Sequence, residues 1–412
     1  MAHFHHLSHN RNYKFLLTFS FHKSPTSCYN YLMTKTRIGV VRGGPSSEYE
    51  ISLRTGAAVI DSLDKEKYEP LDIVISKDGP WHLHGLEIKP HEVARRVDVV
   101  FNALHGYYGE DGKIQQLLES HCIPFTGSGS LSSAIAMNKI LAKEYFRRAG
   151  LKTPMHVLIE GETAKKEIDA EKAYILAYSK FPLPYIVKPV SAGSSIGVSI
   201  VKSRNDFALA LHKAFEFCHS VMVEEYIPGI EANVGVIQGF RGKDLYALPP
   251  VEIRPVNRTF FDYEAKYGEQ VEIMPLTTIG GEGEAPDTSS RELLDEPSGR
   301  VRGMGNRGIA RRKNVSGAEA VIGAVQELVP ATFSTSIKKD LEKLAVAAHT
   351  ALGLRHYSRS DFIISPRRGI FILETNTLPG LTNESIVPKA LRAVGSSLSE
   401  FAEHLISLAL DE

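Results

Sequence analysis

Asp361, Glu374 and Asn376 are the residues whose types and spacing first suggest chemistry. They lie in Arg359–Thr382, which reads RSDFIISPRRGIFILETNTLPGLT. Two apolar runs, Phe362–Ile364 and Ile370–Leu373, flank Ser365-Pro366-Arg367-Arg368-Gly369. That turn-rich interruption predicts a β-hairpin. With Arg367-Arg368 at its tip, Asp361 falls opposite Glu374, and alternation along the strand puts Asn376 on the face of Glu374. Two carboxylates about 4 Å apart repel by ~4 kcal/mol at an effective dielectric of about 20. A cation must offset that. A small oxygen-only ligand set suits Mg²⁺, which keeps waters and borrows oxygens from a substrate phosphate. The alternative is a surface hairpin with solvated acids.

Other polar residues sit where an anion could be held. Arg37–Val41 is a short buried-type strand ending in Gly43-Gly44-Pro45-Ser46-Ser47-Glu48, and a helix follows from about Ser52. Strand, glycine-rich turn and helix N-terminus make an anion-binding corner of an α/β domain. Leu71–Ser76 and Val97–Leu104 read as further buried strands. The second leads into His105-Gly106-Tyr107-Tyr108-Gly109-Glu110-Asp111-Gly112 and a helix from Ile114. His105 is either a ligand-facing group or a loop histidine. Tyr185–Pro189 is a strand carrying Lys188, and Ser191-Ala192-Gly193-Ser194-Ser195-Ile196-Gly197-Val198 follows it. A loop of such small residues can bring backbone N–H groups to phosphate oxygens. No Walker A motif occurs, which excludes a P-loop NTPase. Gly193–Gly197 also fits the serine-hydrolase elbow, but Ile196–Val201 predicts a strand where that elbow needs a helix.

These groups need elements to hold them. Ser132–Arg148 predicts one helix, capped by Ser132 or Ser133 and ended by Gly150, with Ile140, Leu141, Tyr145 and Phe146 as its apolar face. Lys139 lies off that stripe, so periodicity makes it a solvated lysine. Val221–Ile227 predicts a strand closing in Glu224-Glu225, with Glu231 just beyond. Its backbone and carboxylates could read an adenine and a ribose, or simply form a charged edge. Ser336–Leu352 and about Ser396 to Leu410 predict amphipathic helices.

Residues 1–33 carry His3, His5, His6 and His9 without periodicity and read as a tail, and Met33 is the expected biological start. Residues from about 278 to 326 are rich in glycine, proline and arginine, and disorder is the expectation there. Their flanks, VEIMPLTT and QELVPATF, are alike, which suggests an insertion. At 412 residues the length predicts two or three domains. Forty-eight basic residues balance 48 acidic ones, which argues against a nucleic-acid partner. Cys28, Cys122 and Cys218 are isolated, so neither a disulfide framework nor a zinc site is expected. No apolar run approaches the ~18 residues of a membrane span. A reducing cytoplasm fits both observations.

Taken in order, GGPSSEYEIS, FNALHGYYGEDG, the pair Lys139 and Lys188, GSSIGV, VEEYIPGIE, FDYEAKY, SRSDF, LETNTLPG and LTNESIVP resemble the D-alanine–D-alanine ligases of the ATP-grasp superfamily. The resemblance spans roughly 35–277 and 327–411. It implies an α/β and α+β, three-domain ATP-grasp fold with an N-terminal Rossmann-like domain. The boundaries would be a 1–33 extension, an N-terminal substrate domain at 34–127, a central domain at 128–225, and a C-terminal domain at 226–412 interrupted near 278–326.

The resemblance also implies roles. Lys139 and Lys188 would pair with ATP phosphates under the loop of Ser194 and Ser195. Glu224 and the backbone of Tyr226 and Ile227 would hold adenine, and Glu231 the ribose. Asp361, Glu374 and Asn376 would bind two Mg²⁺, with Mn²⁺ as a substitute. Glu48 would anchor the ammonium of the first D-alanine with Ser194 and Tyr267, and His105 would lie near its carboxylate. Arg359 and the backbone of Gly380 would stabilise the oxyanion, and Ser385 and Ile386 would take the second D-alanine's carboxylate. Lys266 and Tyr267 would sit on a closing segment, and Tyr267 favours an amine nucleophile. A cytoplasmic homodimer making D-alanyl-D-alanine for peptidoglycan is implied. The alternatives are ligation to D-serine or another D-amino acid, or an inactive nucleotide-binding relative. The insertion begins shortly after Tyr267, and if it props the lid open ATP turnover would exceed dipeptide formation.

Overall fold

The β-branched run of Ile38–Val41 forms the centre of β1 (Thr36–Gly43), buried on both faces as a parallel strand between two neighbours requires. In this computed structural model residues 35–161, 169–191, 193, 196–255 and 325–412 are described. The expectations for 1–33, Ser194, Ser195, Lys266, Tyr267 and 278–324 lie outside them.

Around β1 the first sheet has β2 (Tyr68–Ile75) on one side and β5 (Val99–Asn102) on the other, both parallel to it. The short antiparallel strands β3 (Trp81–Leu83) and β4 (Leu86–Ile88) extend it beyond β2. Helix α1 (Tyr49–Ser62) begins before the expected Ser52, and its inward face is Ser52, Thr55, Gly56 and Val59. Short α2 (Pro90–Val93) precedes β5, and α3 (Lys113–Ser120) follows the His105 loop.

The second sheet is antiparallel, ordered β6 (His156–Glu160), β9 (Ser220–Glu225), β7 (Tyr185–Pro189) and β8 (Ser199–Val201). Helices α6 (Ala170–Tyr178) and α7 (Arg204–Phe215) cover it, with Phe181, Tyr185, Phe207 and Leu211 in its core. The chain leaves the Gly193–Gly197 loop into strand β8, as the argument against a hydrolase elbow required.

The third sheet runs β13 (Val325–Leu328), β12 (Val251–Pro255), β10 (Ile230–Gln238), β14 (Tyr357–Ser365) and β15 (Gly369–Asn376), with β11 (Leu245–Ala247) also on β10. Helix α8 (Thr335–Ala351) packs Leu341, Ala345 and Ala348 against β10 and β14. After α9 (Ile386–Ala393), helix α10 (Leu398–Leu410) returns to the first sheet, where Phe401 and Leu405 share a core with Ile38, Val40, Val59 and Phe101. That core ties the chain's beginning to its end. Thr36–Glu412 forms one compact unit. Among the described residues no helix is long and apolar enough to cross a membrane.

Two local expectations need correction. The helix expected over Ser132–Arg148 is two helices, α4 (Ser130–Met137) and α5 (Lys139–Arg148), broken at Asn138. Asn138 is extended, and its side chain accepts from the N–H groups of Ile140 and Leu141, an N-cap in the interior of the apparent helix. The break resets the helical phase. Ala142, Lys143 and Phe146 turn inward, whereas Leu141 is exposed.

The hairpin is also built differently from its expectation. Ser365 pairs with Gly369, so the turn holds Pro366, Arg367 and Arg368 instead of two arginines, and the strands start one residue out of register. A bulge between Asp361 and Phe362, with Leu373 the extra residue, restores the pairing of Asp361 with Glu374. Without it, the one-residue slip would send one carboxylate to the other face. Bulges of this kind re-aim side chains beside active sites.

Candidate active site

The bulged hairpin aims its acids into a cavity of about 380 Å³ where the three sheets meet. Asp361 and Glu374 are cross-strand partners, and Asn376 is paired with Arg359. Arg359 grips Asp361 with a two-pronged contact, Nε to Oδ1 and Nη2 to Oδ2, each 2.8 Å. Asn233, opposite Asp361 on β10, donates to the same Oδ1 at 2.6 Å. Burial works against the Arg359 charge, but Asp361, Glu374 and Glu231 outweigh it and hold the guanidinium above its ordinary value.

The cations come from elements that the sequence separates widely. Lys139 opens α5, and its backbone N–H donates to Val190 O at 3.2 Å, which fixes the helix start to the end of β7. The expectation of a solvated lysine was wrong. The Lys139 side chain is only 11% exposed, lines the cavity, and lies 3.7 Å from Glu374. Burial lowers its affinity for the proton, with Glu374 opposing. Burial would raise Glu374, but Lys139, Lys188 and Arg359 draw it below the usual carboxylate range.

Lys188 reaches Glu224 Oε2 at 2.6 Å, and Lys143 reaches Glu224 Oε1 at 2.7 Å. Burial alone would raise Glu224, yet the two ammonium groups take it down to about 2. Glu231 lines the cavity, whereas Glu224, Tyr226 and Ile227 are not among its lining residues. The Tyr226 N–H is taken by Pro184 O at 3.1 Å.

At the other end, Glu48 precedes α1 and points across the His105 loop. A side chain at Gly106 would put a Cβ 2.3 Å from Glu48 Oε2, and one at Gly193 would put it 3.1 Å away. Glu48 therefore lies between two glycine backbones at the cavity edge. His105 is buried and doubly bonded: Nδ1–H donates to Leu378 O at 3.0 Å, so Nε2 accepts from Thr55 Oγ1 at 2.8 Å. Burial drops its pKa to about 4, so the ring is neutral. Gly380 and Ile386 line the cavity, and Ser385 precedes α9 with its hydroxyl 2.8 Å from Thr382 Oγ1.

Glu110 is a site residue that periodicity could not find. Its Oε1 accepts from Gly106 N–H at 2.9 Å. With the Asn376 amide oriented to accept from Arg359 Nη2 at 3.0 Å, its NH₂ donates to Glu110 Oε2 at 3.0 Å. Burial, reinforced by Glu48, pushes Glu110 up to about 8, so it is protonated at neutral pH. Nothing in the local spacing of HGYYGEDG marks this carboxyl as buried. Lys143 was missed for a different reason: the helix break placed it inside, and Asn138 was the available signal.

The side-chain oxygens of Asp361, Glu374 and Asn376 on one face are of the kind that a hard divalent cation such as Mg²⁺ takes, with Arg359 and Lys139 already offsetting the carboxylate charge. Beside them, two lysines near a loop of small residues suit a polyphosphate.

Comparison with known proteins identifies the family. The family described as "D-ala D-ala ligase C-terminus" matches residues 145–285 and 318–407, and "D-ala D-ala ligase N-terminus" matches 37–92 and 85–128. The chain is 35% identical over 379 residues to the D-alanine--D-alanine ligase of Geotalea uraniireducens, covering 92% of this chain and 96% of that one. It is 35% identical over 380 residues to the ligase of the same name from Syntrophobacter fumaroxidans, covering 92% and 99%. Among solved structures, the Bacillus anthracis D-alanine--D-Alanine ligase complexed with ATP is similar at 27% identity and a TM-score of 0.64, covering 91% of this chain and 98% of that one. The VanG D-Ala:D-Ser ligase of Enterococcus faecalis is similar at 25% identity and a TM-score of 0.68, covering 91% and 100%.

Proposed function

The chain belongs to the D-alanine–D-alanine ligase family, and from that membership we propose how its own residues join two D-alanines with ATP. The product is D-alanyl-D-alanine for peptidoglycan precursors. The relatives at 32–35% identity carry the D-alanine ligase name, so ligation to D-serine is not favoured. The observation that carries the reading is the meeting of the Asp361–Glu374 pair with Lys139 and Lys188 around one cavity.

A carboxylate is a poor acyl donor, so the γ-phosphoryl group of ATP first converts it to an acyl phosphate. That transfer needs charge neutralisation and alignment more than covalent help. Lys139 and Lys188 hold the phosphates, and Ser194 and Ser195 are assigned to the same nucleotide. Glu224 with the backbone of Tyr226 and Ile227 holds adenine, and Glu231 the ribose. Asp361, Glu374 and Asn376 would hold Mg²⁺, which when bound would offset the phosphate charge. Glu48, with Ser194 and Tyr267, anchors the first D-alanine's ammonium, and neutral His105 faces its carboxylate. Ser385 and Ile386, at the N-terminus of α9, receive the second D-alanine's carboxylate. Its amine attacks the acyl phosphate, and Arg359 with the Gly380 N–H steadies the oxyanion before phosphate leaves. The segment of Lys266 and Tyr267 keeps water out. Domain boundaries near 127 and 225, a homodimer and a cytoplasmic location complete the reading.

The test is D-alanine-dependent ADP release by the full chain with ATP and Mg²⁺, with dipeptide counted in parallel. One dipeptide per ADP is expected. ADP without dipeptide, or neither product from folded protein, would overturn it.

A further inference from the structure

Helix α5 carries a second lysine one turn beyond Lys139, and the mechanism above does not use it. Lys143 is fully buried, and its Nζ bonds Thr153 Oγ1 at 2.6 Å and Glu224 Oε1 at 2.7 Å. Lys188 takes the other Glu224 oxygen at 2.6 Å. The two lysines differ in access: Lys188 lines the cavity and Lys143 does not.

We propose that Lys143 is a positioning residue for nucleotide binding: it is the resident counter-charge of Glu224, and it leaves Lys188 able to move to the nucleotide phosphates. The inference rests on the ligase reading, because it needs a nucleotide in this cavity. Glu224 is buried, so it must keep a cation whenever Lys188 turns toward a phosphate. Lys143 is placed to be that cation. Thr153 fixes its head, helix α5 fixes its stem, and its side chain is fully buried away from the cavity lining. A buried carboxylate shared between a fixed and a cavity-facing lysine gives the second lysine two partners, Glu224 before binding and phosphate after it. Burial lowers the Lys143 pKa to about 8, while Glu224 stays ionised beside it, so the pair keeps its charges at neutral pH.

Removing Lys143 would leave Glu224 dependent on Lys188 and hold Lys188 back from the phosphates. The affected term is phosphate affinity, not base affinity. The experiment measures ADP and adenosine binding by calorimetry on the full-length wild type, Lys143→Met, Glu224→Gln and the double variant. Lys143→Met is expected to weaken ADP about tenfold or more while changing adenosine less than about twofold. In the double variant the anion that trapped Lys188 is gone, and Gln still offers an acceptor oxygen. Relative to adenosine affinity in the same variant, which carries any loss of the Glu224 contact to adenine, ADP affinity should therefore return to within about threefold of the wild-type ratio. Should Lys143→Met fail to fold, a double variant that folds and binds ADP supports the assignment equally. Equal losses of ADP and adenosine, no loss at all, or a double variant no better than Lys143→Met would each overturn it. A wild-type chain that binds no ADP would instead overturn the ligase reading.

Discussion

Glu224 and Glu110 are both buried glutamates beside the same cavity, and they carry opposite charge states. Glu224 lies between Lys143 and Lys188 and is pulled down to about 2. Glu110 faces a backbone N–H, an amide, neutral His105 and another carboxylate, Glu48, and it is pushed up to about 8. Burial acts in the same direction on both. The neighbours decide the outcome, and they sort the cavity into a cation-rich end, proposed for the nucleotide, and an end beside Glu48, proposed for D-alanine, where a carboxyl is kept neutral. A second ionised acid beside Glu48 would deepen the negative potential there. That potential would repel the substrate's carboxylate while helping its ammonium.

The largest effect should come where the two ends meet. Glu374 lies within reach of Lys139 and across the hairpin from Asp361. Glu374→Gln keeps shape and removes charge. Turnover dependent on Mg²⁺ should fall by about 10³-fold or more, with circular dichroism and melting unchanged. Activity near wild type would refute the assignment of Glu374 to the metal.

The next effect separates the two glutamates directly. Glu224→Gln strands Lys143 in the interior, so ADP affinity should drop about tenfold and stability should fall by about 3 kcal/mol. Glu110→Gln replaces a protonated acid by its neutral analogue, and its C=O can accept from the Gly106 N–H as Oε1 does. Its melting temperature should stay within about 2 °C of wild type. A large loss in Glu110→Gln at neutral pH, matching that of Glu224→Gln, would mean that Glu110 is ionised and would erase the contrast.

The sequence exposed one end of this comparison far better than the other. The metal-side hairpin was legible because strand alternation is local: Phe362–Ile364 and Ile370–Leu373 mark both strands without reference to the rest of the chain. Even so, the pairing of Asp361 with Glu374 came from two compensating errors, a three-residue turn and an unforeseen bulge at Leu373. The lysine cluster was not legible. Helical periodicity assumes an unbroken helix, and Asn138 interrupts it, so Lys139 read as solvated and Lys143 drew no notice. Glu110 needed more still. Its burial arises when the first sheet's loop meets Asn376 on β15, and no local pattern encodes that contact. The three parallel strands of the first sheet, by contrast, were evident from buried β-branched runs followed by glycine-rich turns. The linear sequence does not say which loop faces which hairpin, and the family resemblance supplied that relation.

The smallest predicted effect is a control far from either glutamate. His349 on α8 is buried against β14, with Nδ1 bonded to Ser358 Oγ at 2.8 Å and no hydrogen-bond partner for Nε2. Burial lowers its pKa to about 4, with nearby His356 adding to the effect and the Leu354 contact opposing it. For a histidine whose folded value lies below its unfolded value near 6.5, the stabilisation is present above about pH 6.5. It is lost as pH falls toward 4, because the unfolded chain takes up the proton first. His105 adds to the same window with a folded value of about 4. The melting temperature should therefore decline as pH is lowered from about 6.5 to 4. His349→Asn keeps a bond to Ser358 but cannot titrate, so it should flatten the decline by up to about one proton's worth, roughly 1.4 kcal/mol per pH unit. It should leave the difference between Glu224→Gln and Glu110→Gln at neutral pH unchanged. An acid profile identical to wild type would show that His349 takes up its proton in the folded chain as readily as in the unfolded one. The burial argument that assigns Glu110 its neutral state would then lose its independent support.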